Sequence, residues 1–290
     1  MDIDRGTPDE ISDVMKMYNI HPFVAKELSG ATAKPRAELH DGYIYCIMHF
    51  PAWKHTHTDK NQEVDFIIGR DALITSRYDT IDTLHRFAKE VEVEEVLQNH
   101  HFERNPQALF IHLLRELYKG LFEELAYLEE VTEQITARIF NEKEKEMVAA
   151  ISSVTRTLLD FKKAIDLHEE ILESIRHYGR GMFGDNFAKD MEVIMLDYLK
   201  LNGSIKSNLE MLRELRETNN SLLSTKQNET IKKLALMGFI IFPLTLIAAL
   251  FSMQVDLPLS NNPNAFWMIL VAMAAVAGIM ITYAKSKKWL

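Results

Sequence analysis

The chain has 290 residues, 47% of them hydrophobic and 26% charged, a composition that excludes a wholly disordered protein. Its 33 Lys and Arg against 42 Asp and Glu give a formal net charge of −9, which argues against nucleic acid as a partner and suits a protein that meets cations. The one cysteine, Cys46, excludes an internal disulfide framework and a cysteine-rich zinc site.

Residues 1–106 predict a cytoplasmic domain of mixed α and β structure. Thr7 is placed to cap a helix over PDEISDVMKMY. The stretches GYIYCIMHFP and EVDFIIGRDALITS are rich in Ile, Tyr and Phe, and they predict strands with a hairpin turn at Gly69. Between them lie His55 and His57. Two histidines without further ligands favour a solvated loop over a metal site.

Residues 107–233 predict long helices. Apolar residues recur at steps of three and four, as in coiled-coil seams, in three series that begin at Phe110, Met147 and Phe187. The turn GRGMFGDN ends the second series, so we expect antiparallel helices over 107–185 and a stalk helix over 186–233. His168 and Asn208 occupy seam positions, which favours buried polar groups that set the helix register over ligands.

Two uncharged runs near the end of the chain predict membrane spans. They are LALMGFIIFPLTLIAALF with the residues after it, over 234–255, and AFWMILVAMAAVAGIMITYA, over 265–284. A helix needs roughly 20 such residues to cross the hydrocarbon core of a bilayer. Residues 256–264 are therefore a short loop between two transmembrane helices.

The lysines near the spans predict their orientation. Three precede the first span and three follow the second, namely Lys226, Lys232, Lys233, Lys285, Lys287 and Lys288. The loop 256–264 has neither Lys nor Arg, so the positive-inside rule places that loop outside and both termini in the cytoplasm, including the basic tail 285–290. Without an apolar segment after Met1, no signal peptide is expected. We therefore expect a multi-pass protein of the cell (inner) membrane, in contact with lipid.

A second stripe runs along the stalk helix into the first span. Its members, again at steps of three and four, are Glu217, Ser221, Ser224, Asn228, Ile231, Ala235, Gly238, Phe242, Thr245, Ala249 and Ser252. The stripe has two interpretations. It can be the wall of a conduit, which requires a ring of identical subunits because one helix cannot enclose a pore. It can also be a row of small residues that lets helices pack closely. Periodicity alone leaves both open.

The segment QNETIKKLALMGFIIFPLTLIAALFSMQ, with a short loop, a second span and a final KSKKWL, resembles the CorA magnesium transporter family. The specific part is FPLTLIAALF, and HPFVAKEL near the amino terminus is also similar to the family pattern. The resemblance implies a funnel-shaped homopentamer. Each subunit would have an α+β cytoplasmic domain, long coiled-coil helices and two C-terminal transmembrane helices, with five first spans around a channel.

The resemblance also implies roles for individual residues. Asn228 would form a ring at the cytoplasmic end of the pore, and Thr245 a polar ring within it. A narrow apolar gate would consist of Leu234, Gly238 and Phe242, and Ile231 also lies on the pore-lining stripe. The family's Gly-Met-Asn is replaced by Ser252, Met253 and Gln254, which would form the outer selectivity mouth.

Gln254 keeps the carbonyl oxygen of Asn on one more methylene group. Such oxygens can accept hydrogen bonds from the water shell of Mg²⁺, an ion that dehydrates reluctantly. The replacement therefore bears on selectivity more than on conduction.

Acidic residues are the candidate cation ligands. Asp256 is the only acid of the outer loop, and Glu217 begins the stripe. Asp190, Asp197 and Asp65 are candidates for the regulatory Mg²⁺ that the family binds between subunits in the cytoplasm.

The leading hypothesis is a gated channel for Mg²⁺ or a related divalent cation (Co²⁺, Ni²⁺), with Mg²⁺ as substrate and regulatory ligand and with no cofactor. One alternative is a proton-coupled zinc transporter of the ZntB type, and another is a non-conducting membrane scaffold. An enzyme is not expected, because phosphate-binding glycine loops, nucleophile elbows and zinc-protease motifs are absent from the sequence.

Overall fold

The computed structural model describes residues 1–4, 6–32, 34–51, 61–78, 84, 86–87, 89, 105–141, 143–252 and 264–287. The chain divides into two compact units, Met1–Arg216 and Glu217–Leu290.

The first unit contains a five-stranded sheet in the order β1-β5-β4-β3-β2. The strands are β1 (Asp2–Asp4), β2 (Arg36–His40), β3 (Tyr43–Pro51), β4 (Asn61–Gly69) and β5 (Leu73–Arg77). All neighbours are antiparallel except β1 and β5. The two-residue turn between β2 and β3 ends in Gly42 with a φ of 89°, a conformation that glycine adopts without strain. The predicted hairpin at Gly69 is confirmed by the pairing of β4 with β5.

Two short helices cover one face of the sheet. They are α1 (Pro8–Tyr18) and α2 (Pro22–Glu27). The predicted cap is confirmed: the Glu10 amide donates to the Thr7 hydroxyl, and the Thr7 amide donates to the Glu10 carboxylate. The core under these helices is apolar and consists of Ile3, Ile11, Val14, Ile20, Val24, Ala25, Leu28, Tyr43, Tyr45, Ile47, Ile67 and Ile74.

Longer helices complete the first unit. They are α3 (Pro106–Phe140), α4 (Glu144–Ile165) and α5 (His168–Phe183), followed by the start of α6 (Asp185–Ser252). The Phe66 ring of β4 lies 5.4 Å from the Phe110 ring of α3, so the opposite face of the sheet is also covered. Both faces of β3 are therefore buried, which explains why this strand reads as a continuous apolar run.

One helix boundary differs from the sequence expectation. The series that begins at Met147 predicts a single helix as far as the turn at 179–186, whereas the structure ends α4 at Ile165 and starts α5 at His168. The buried His168 ring bonds to β3 at this break. No glycine or proline marks the position in the sequence. The predicted turn itself is confirmed, since α5 ends at Phe183 and Gly184 has a φ of 96°.

The second unit contains the rest of α6 and the helix α7 (Ala265–Ser286). Both helices include an apolar stretch long enough to cross a membrane, and the most apolar 18-residue window of each is not buried within the protein. The α+β domain, the long helix and the two C-terminal apolar helices confirm the predicted fold class.

Candidate functional site

The stripe predicted to line a conduit is exposed along α6 except at Gly238, which is half-buried. Phe242 is its most exposed large apolar side chain at 76%. Ile231 of the stripe and Leu234 beside it are each 62% exposed. Asn228 and Thr245 are exposed as well. These polar and apolar side chains are thus not covered by other parts of the same chain.

Half-buried side chains of the apolar segment are Leu236, Ile240, Pro243, Leu244 and Ile247. At 3.6 residues per turn, the row formed by Leu236, Ile240, Leu244 and Ile247 lies on the opposite side of the helix from Phe242 and Thr245. The rest of the helix surface is exposed, and it includes Met237 and Ile241 as well as the stripe.

The Thr245 hydroxyl donates a hydrogen bond of 2.9 Å to the carbonyl oxygen of Ile241, one turn earlier in the helix. Its only proton is thus committed to the backbone, and the oxygen lone pairs remain as acceptors. An exposed acceptor of this kind can receive a hydrogen bond from the water shell of a cation. It cannot donate one to an anion.

Gly238 lies one turn before Phe242. A Cβ built at Gly238 would lie 3.4 Å from the Phe242 ring, so the ring lies back along its own helix over this glycine. Pro243 follows directly within the helix, where it supplies no N–H donor. The segment thus combines a large exposed ring with a locally weakened backbone.

The outer mouth is described only at its start. Ser252 is the last residue of α6. Met253, Gln254 and Asp256 lie outside the described residues, as do His55 and His57.

The predicted acidic ligands are not brought together within one chain. Glu217 and Asp190 are exposed on α6, and Asp197 lies 3.8 Å from the Lys200 ammonium group. Among the residues that the structure describes, no three His, Cys, Asp or Glu side chains are placed to hold a metal ion.

Asp65 has a different environment from a metal ligand. Its side chain is 1% exposed, and its Oδ2 accepts hydrogen bonds from the hydroxyls of Tyr78 (3.0 Å) and Tyr45 (3.4 Å). Burial and the nearby Glu63 carboxylate raise the pKa of Asp65 to about 8. A buried, protonated carboxyl group does not suit a divalent cation, so the structure argues against the regulatory role expected for this residue.

The surroundings of Asp65 were not apparent from the sequence. The only signal is the pattern EVDF, in which two acids alternate with apolar residues inside a strand that is otherwise apolar. Alternation places Glu63 and Asp65 on one face of β4, yet the tyrosines come from β3 and from the residue after β5.

Comparisons with known proteins bear on both units. Residues 1–285 match the family model described as CorA-like Mg2+ transporter protein. The chain is 22% identical over 286 residues to the cobalt/magnesium transport protein CorA of Thermotoga maritima, covering 97% of this chain and 80% of that protein.

Solved structures show the same fold. The complete CorA magnesium transporter of Methanocaldococcus jannaschii superposes with a TM-score of 0.85 at 21% identity, covering 100% of this chain and 90% of that one. The ZntB cytoplasmic domain from Vibrio parahaemolyticus gives a TM-score of 0.64 at 12% identity, covering 77% and 87%.

Proposed function

The chain belongs to the family of CorA-like Mg²⁺ transporter proteins, and from that membership we propose that it is one subunit of a homopentameric, gated channel for Mg²⁺ or a related divalent cation such as Co²⁺ or Ni²⁺. The Thermotoga maritima relative is named a cobalt/magnesium transport protein, which supports this choice of ion. The channel lies in the cell's inner membrane with both termini in the cytoplasm, as the lysines beside the spans favour. It is not an enzyme, and Mg²⁺ is its substrate.

The observation that carries the proposal is the exposed row on α6. Its residues, from Asn228 to Ser252, lie opposite the half-buried row that includes Ile240. A pore wall in a ring of subunits must present one face that its own chain does not cover. The row supplies such a face from Asn228 to Ser252, and its regularly spaced polar and small residues distinguish it from other exposed residues such as Met237 and Ile241.

The chemistry of the row fits a hydrated divalent cation. Thr245 presents only acceptor lone pairs, and Asn228 has an exposed amide oxygen. Rings of such oxygens accept hydrogen bonds from the water shell of Mg²⁺ without removing it. Between these two rings, Leu234, Gly238 and Phe242 form the narrow gate, because converging apolar side chains such as the exposed Leu234 and Phe242 stop a hydrated ion by excluding water.

The outer mouth and the acids complete the proposal. The hydrated ion is recognised at the entrance by Ser252, Met253 and Gln254. A ring of Asp256 carboxylates raises the local concentration of cations. Inside, Glu217 lies on the same stripe, and Asp190 and Asp197 are the candidate ligands for regulatory Mg²⁺ between subunits. These acids occupy separate positions on α6, so only neighbouring subunits could bring them together.

Accessibility of the row to thiol reagents tests the arrangement. In a Cys46→Ala background, single cysteines at Ile231, Phe242 and Thr245 should let a thiol reagent block Mg²⁺ uptake into liposomes. Cysteines at Leu236 and Ile240, on the half-buried side, are the matched controls. Block that occurs only at the control positions would place the wrong face on the axis.

The ZntB cytoplasmic domain shares the fold, so a proton-coupled zinc transporter is the second candidate. Uptake of Mg²⁺ and of Zn²⁺ with and without a pH gradient separates the two, because a channel needs no proton gradient. If uptake rates for every ion equal those of protein-free liposomes, both transport hypotheses are wrong and the non-conducting scaffold is the remaining alternative. The mass of the detergent-solubilised complex tests the pentamer, and a monomer or dimer would contradict it.

A further inference from the structure

The carboxyl group of Asp65 is buried beneath α2 without a cationic partner. In the part of the chain that the structure describes, no Lys, Arg or His contacts it, and its Oδ1 has no hydrogen-bond partner. The guanidinium of Arg36 is engaged by Glu27 at 2.5 Å and by Glu38 at 2.7 Å. An ionised Asp65 would therefore be an uncompensated buried charge, which is costly.

The groups that face Asp65 come from every neighbouring element. Glu63 lies two residues before Asp65 on the same strand. Its carboxylate accepts a hydrogen bond from the Thr32 amide and lies 3.0 Å from His49 Nε2. The other titratable or charged groups are Glu27 of α2, Arg36 and Glu38 of β2, Tyr45 and Cys46 of β3, and Tyr78 after β5. Glu63 and Glu27 add negative charge, and both therefore favour the neutral form of Asp65.

One hydroxyl connects Asp65 to α2. The Tyr78 oxygen lies 3.0 Å from Asp65 Oδ2 and 3.2 Å from the carbonyl oxygen of Glu27, the last residue of α2. A tyrosine hydroxyl has a single proton, so it can donate to only one of these two oxygens at a time. When Asp65 is protonated at Oδ2, the carboxyl donates to the Tyr78 oxygen, and Tyr78 is free to donate to Glu27. When Asp65 is ionised, Tyr78 must donate to the carboxylate instead.

We propose that the Asp65 carboxyl is a proton-binding site whose proton completes a hydrogen-bond relay from β4 through Tyr78 to the end of α2, so that loss of the proton removes the hydrogen bond from Tyr78 to Glu27 and makes local opening of α2 easier. The ligand is the proton itself, and the site responds to alkaline cytoplasmic pH. The relay does not depend on which ion the membrane helices carry.

The direction of the pH response follows from proton linkage. Burial raises the pKa of Asp65 to about 8, from an ordinary value of 3.8. In the closed state α2 is packed on the sheet and Asp65 is buried, and in the open state α2 is detached and Asp65 is in water. Between these two pKa values the closed state holds a proton that the open state lacks, so the equilibrium constant for opening rises by up to about tenfold per pH unit. Above about pH 8 Asp65 is ionised in both states, and the equilibrium constant for opening no longer changes with pH.

Hydrogen exchange of the full chain in detergent tests the relay, with rates corrected for the intrinsic effect of pH. The reporter amides are Ala25 and Leu28 of the α2 segment, which donate to backbone carbonyls one turn earlier. In the wild type, their corrected exchange should rise by up to about tenfold per unit between pH 6 and 8 and then become level. Amides of α3 are the internal reference and should stay constant.

Asp65→Asn is the informative variant, because its amide N–H donates to Tyr78 at every pH. In Asp65→Asn, the exchange of the α2 amides should no longer rise with pH. Asp13→Asn, the same change at an exposed aspartate of α1, should retain the rise. Tyr78→Phe should give fast α2 exchange already at pH 6, which keeps the proposal testable if Asp65→Asn does not fold. Wild-type exchange that is independent of pH, or a rise retained in Asp65→Asn, would overturn the proposal.

Discussion

Replacement of His168 should destabilise the first unit, Met1–Arg216, by several kcal/mol. This histidine is fully buried at the start of α5. Its Nε2 donates to the carbonyl oxygen of His49 at 2.8 Å, and its Nδ1 accepts from the Tyr118 hydroxyl at 2.8 Å. Because β2 pairs with β3 only as far as Ile47, the His49 carbonyl lies on an open strand edge, and His168 satisfies it. One side chain thus ties β3 to α3 and α5.

His168→Phe keeps an aromatic ring among Phe50 and Tyr198, whose rings lie 5.2 and 6.3 Å from the histidine ring. The change leaves the Tyr118 hydroxyl and the His49 carbonyl buried without partners, at a cost of about 1–3 kcal/mol each. The total is about 2–6 kcal/mol. For a unit of this size, 1 kcal/mol lowers the melting temperature by about 2–4 °C, so the expected decrease is about 4–24 °C.

The assay is thermal unfolding of the full chain in detergent at pH 7, followed by the loss of helical circular dichroism. Tyr118→Phe in the His168→Phe background removes one unpaired group, so the double variant should be more stable than His168→Phe alone. His177→Phe, on the exposed side of the same helix, is the matched control and should change little. A melting temperature for His168→Phe within about 2 °C of the wild type would refute the reasoning.

Three further outcomes are expected. Phe242→Ser should raise the leak of divalent cations from Mg²⁺-loaded liposomes, because a hydroxyl re-wets the apolar gate, whereas Leu236→Ser on the half-buried side should not. At equal membrane expression, Gln254→Leu should abolish selective Mg²⁺ uptake and Gln254→Asn should retain it, since only the latter keeps a carbonyl acceptor; full uptake by Gln254→Leu would place selectivity elsewhere. Between pH 6.5 and 8, the melting temperature of the first unit in the wild type should fall relative to that of Asp65→Asn, as circular dichroism would show.

The elements that the sequence predicted well are those set by local chemistry. Thr7 and Glu10 sit three residues apart and cap α1 from within one segment. The two membrane helices follow from uncharged runs, and the helical seams from steps of three and four. His168 and Asn208, on those seams, are buried as expected, at 0% and 6% exposure.

The partners of buried polar groups could not be read from the sequence. His168 bonds to a carbonyl 119 residues earlier, and Asp65 is joined to Glu27 through Tyr78, so each contact depends on strand register and helix placement together. The proposed pore presents a different difficulty. The stripe on α6 is exposed in a single chain, and in the proposed pentamer its partners would be other copies of the same face, which no pattern within one chain can define.

His168 and Asp65 have opposite effects on how the stability of the first unit varies with pH. Burial lowers the pKa of His168 from 6.5 to about 4, so the unfolded chain holds the extra proton between these values and stability rises with pH there. Burial raises the pKa of Asp65 from 3.8 to about 8, so the folded chain holds the extra proton and stability falls with pH over that range. The two effects oppose each other below about pH 6.5. Above it, the effect of Asp65 is opposed by the amino terminus of Met1, because burial lowers the pKa of that group from 8.0. His168→Phe should therefore expose the slope of Asp65 in acid, and a level profile for that variant between pH 4.5 and 6 would mean that Asp65 is already ionised there.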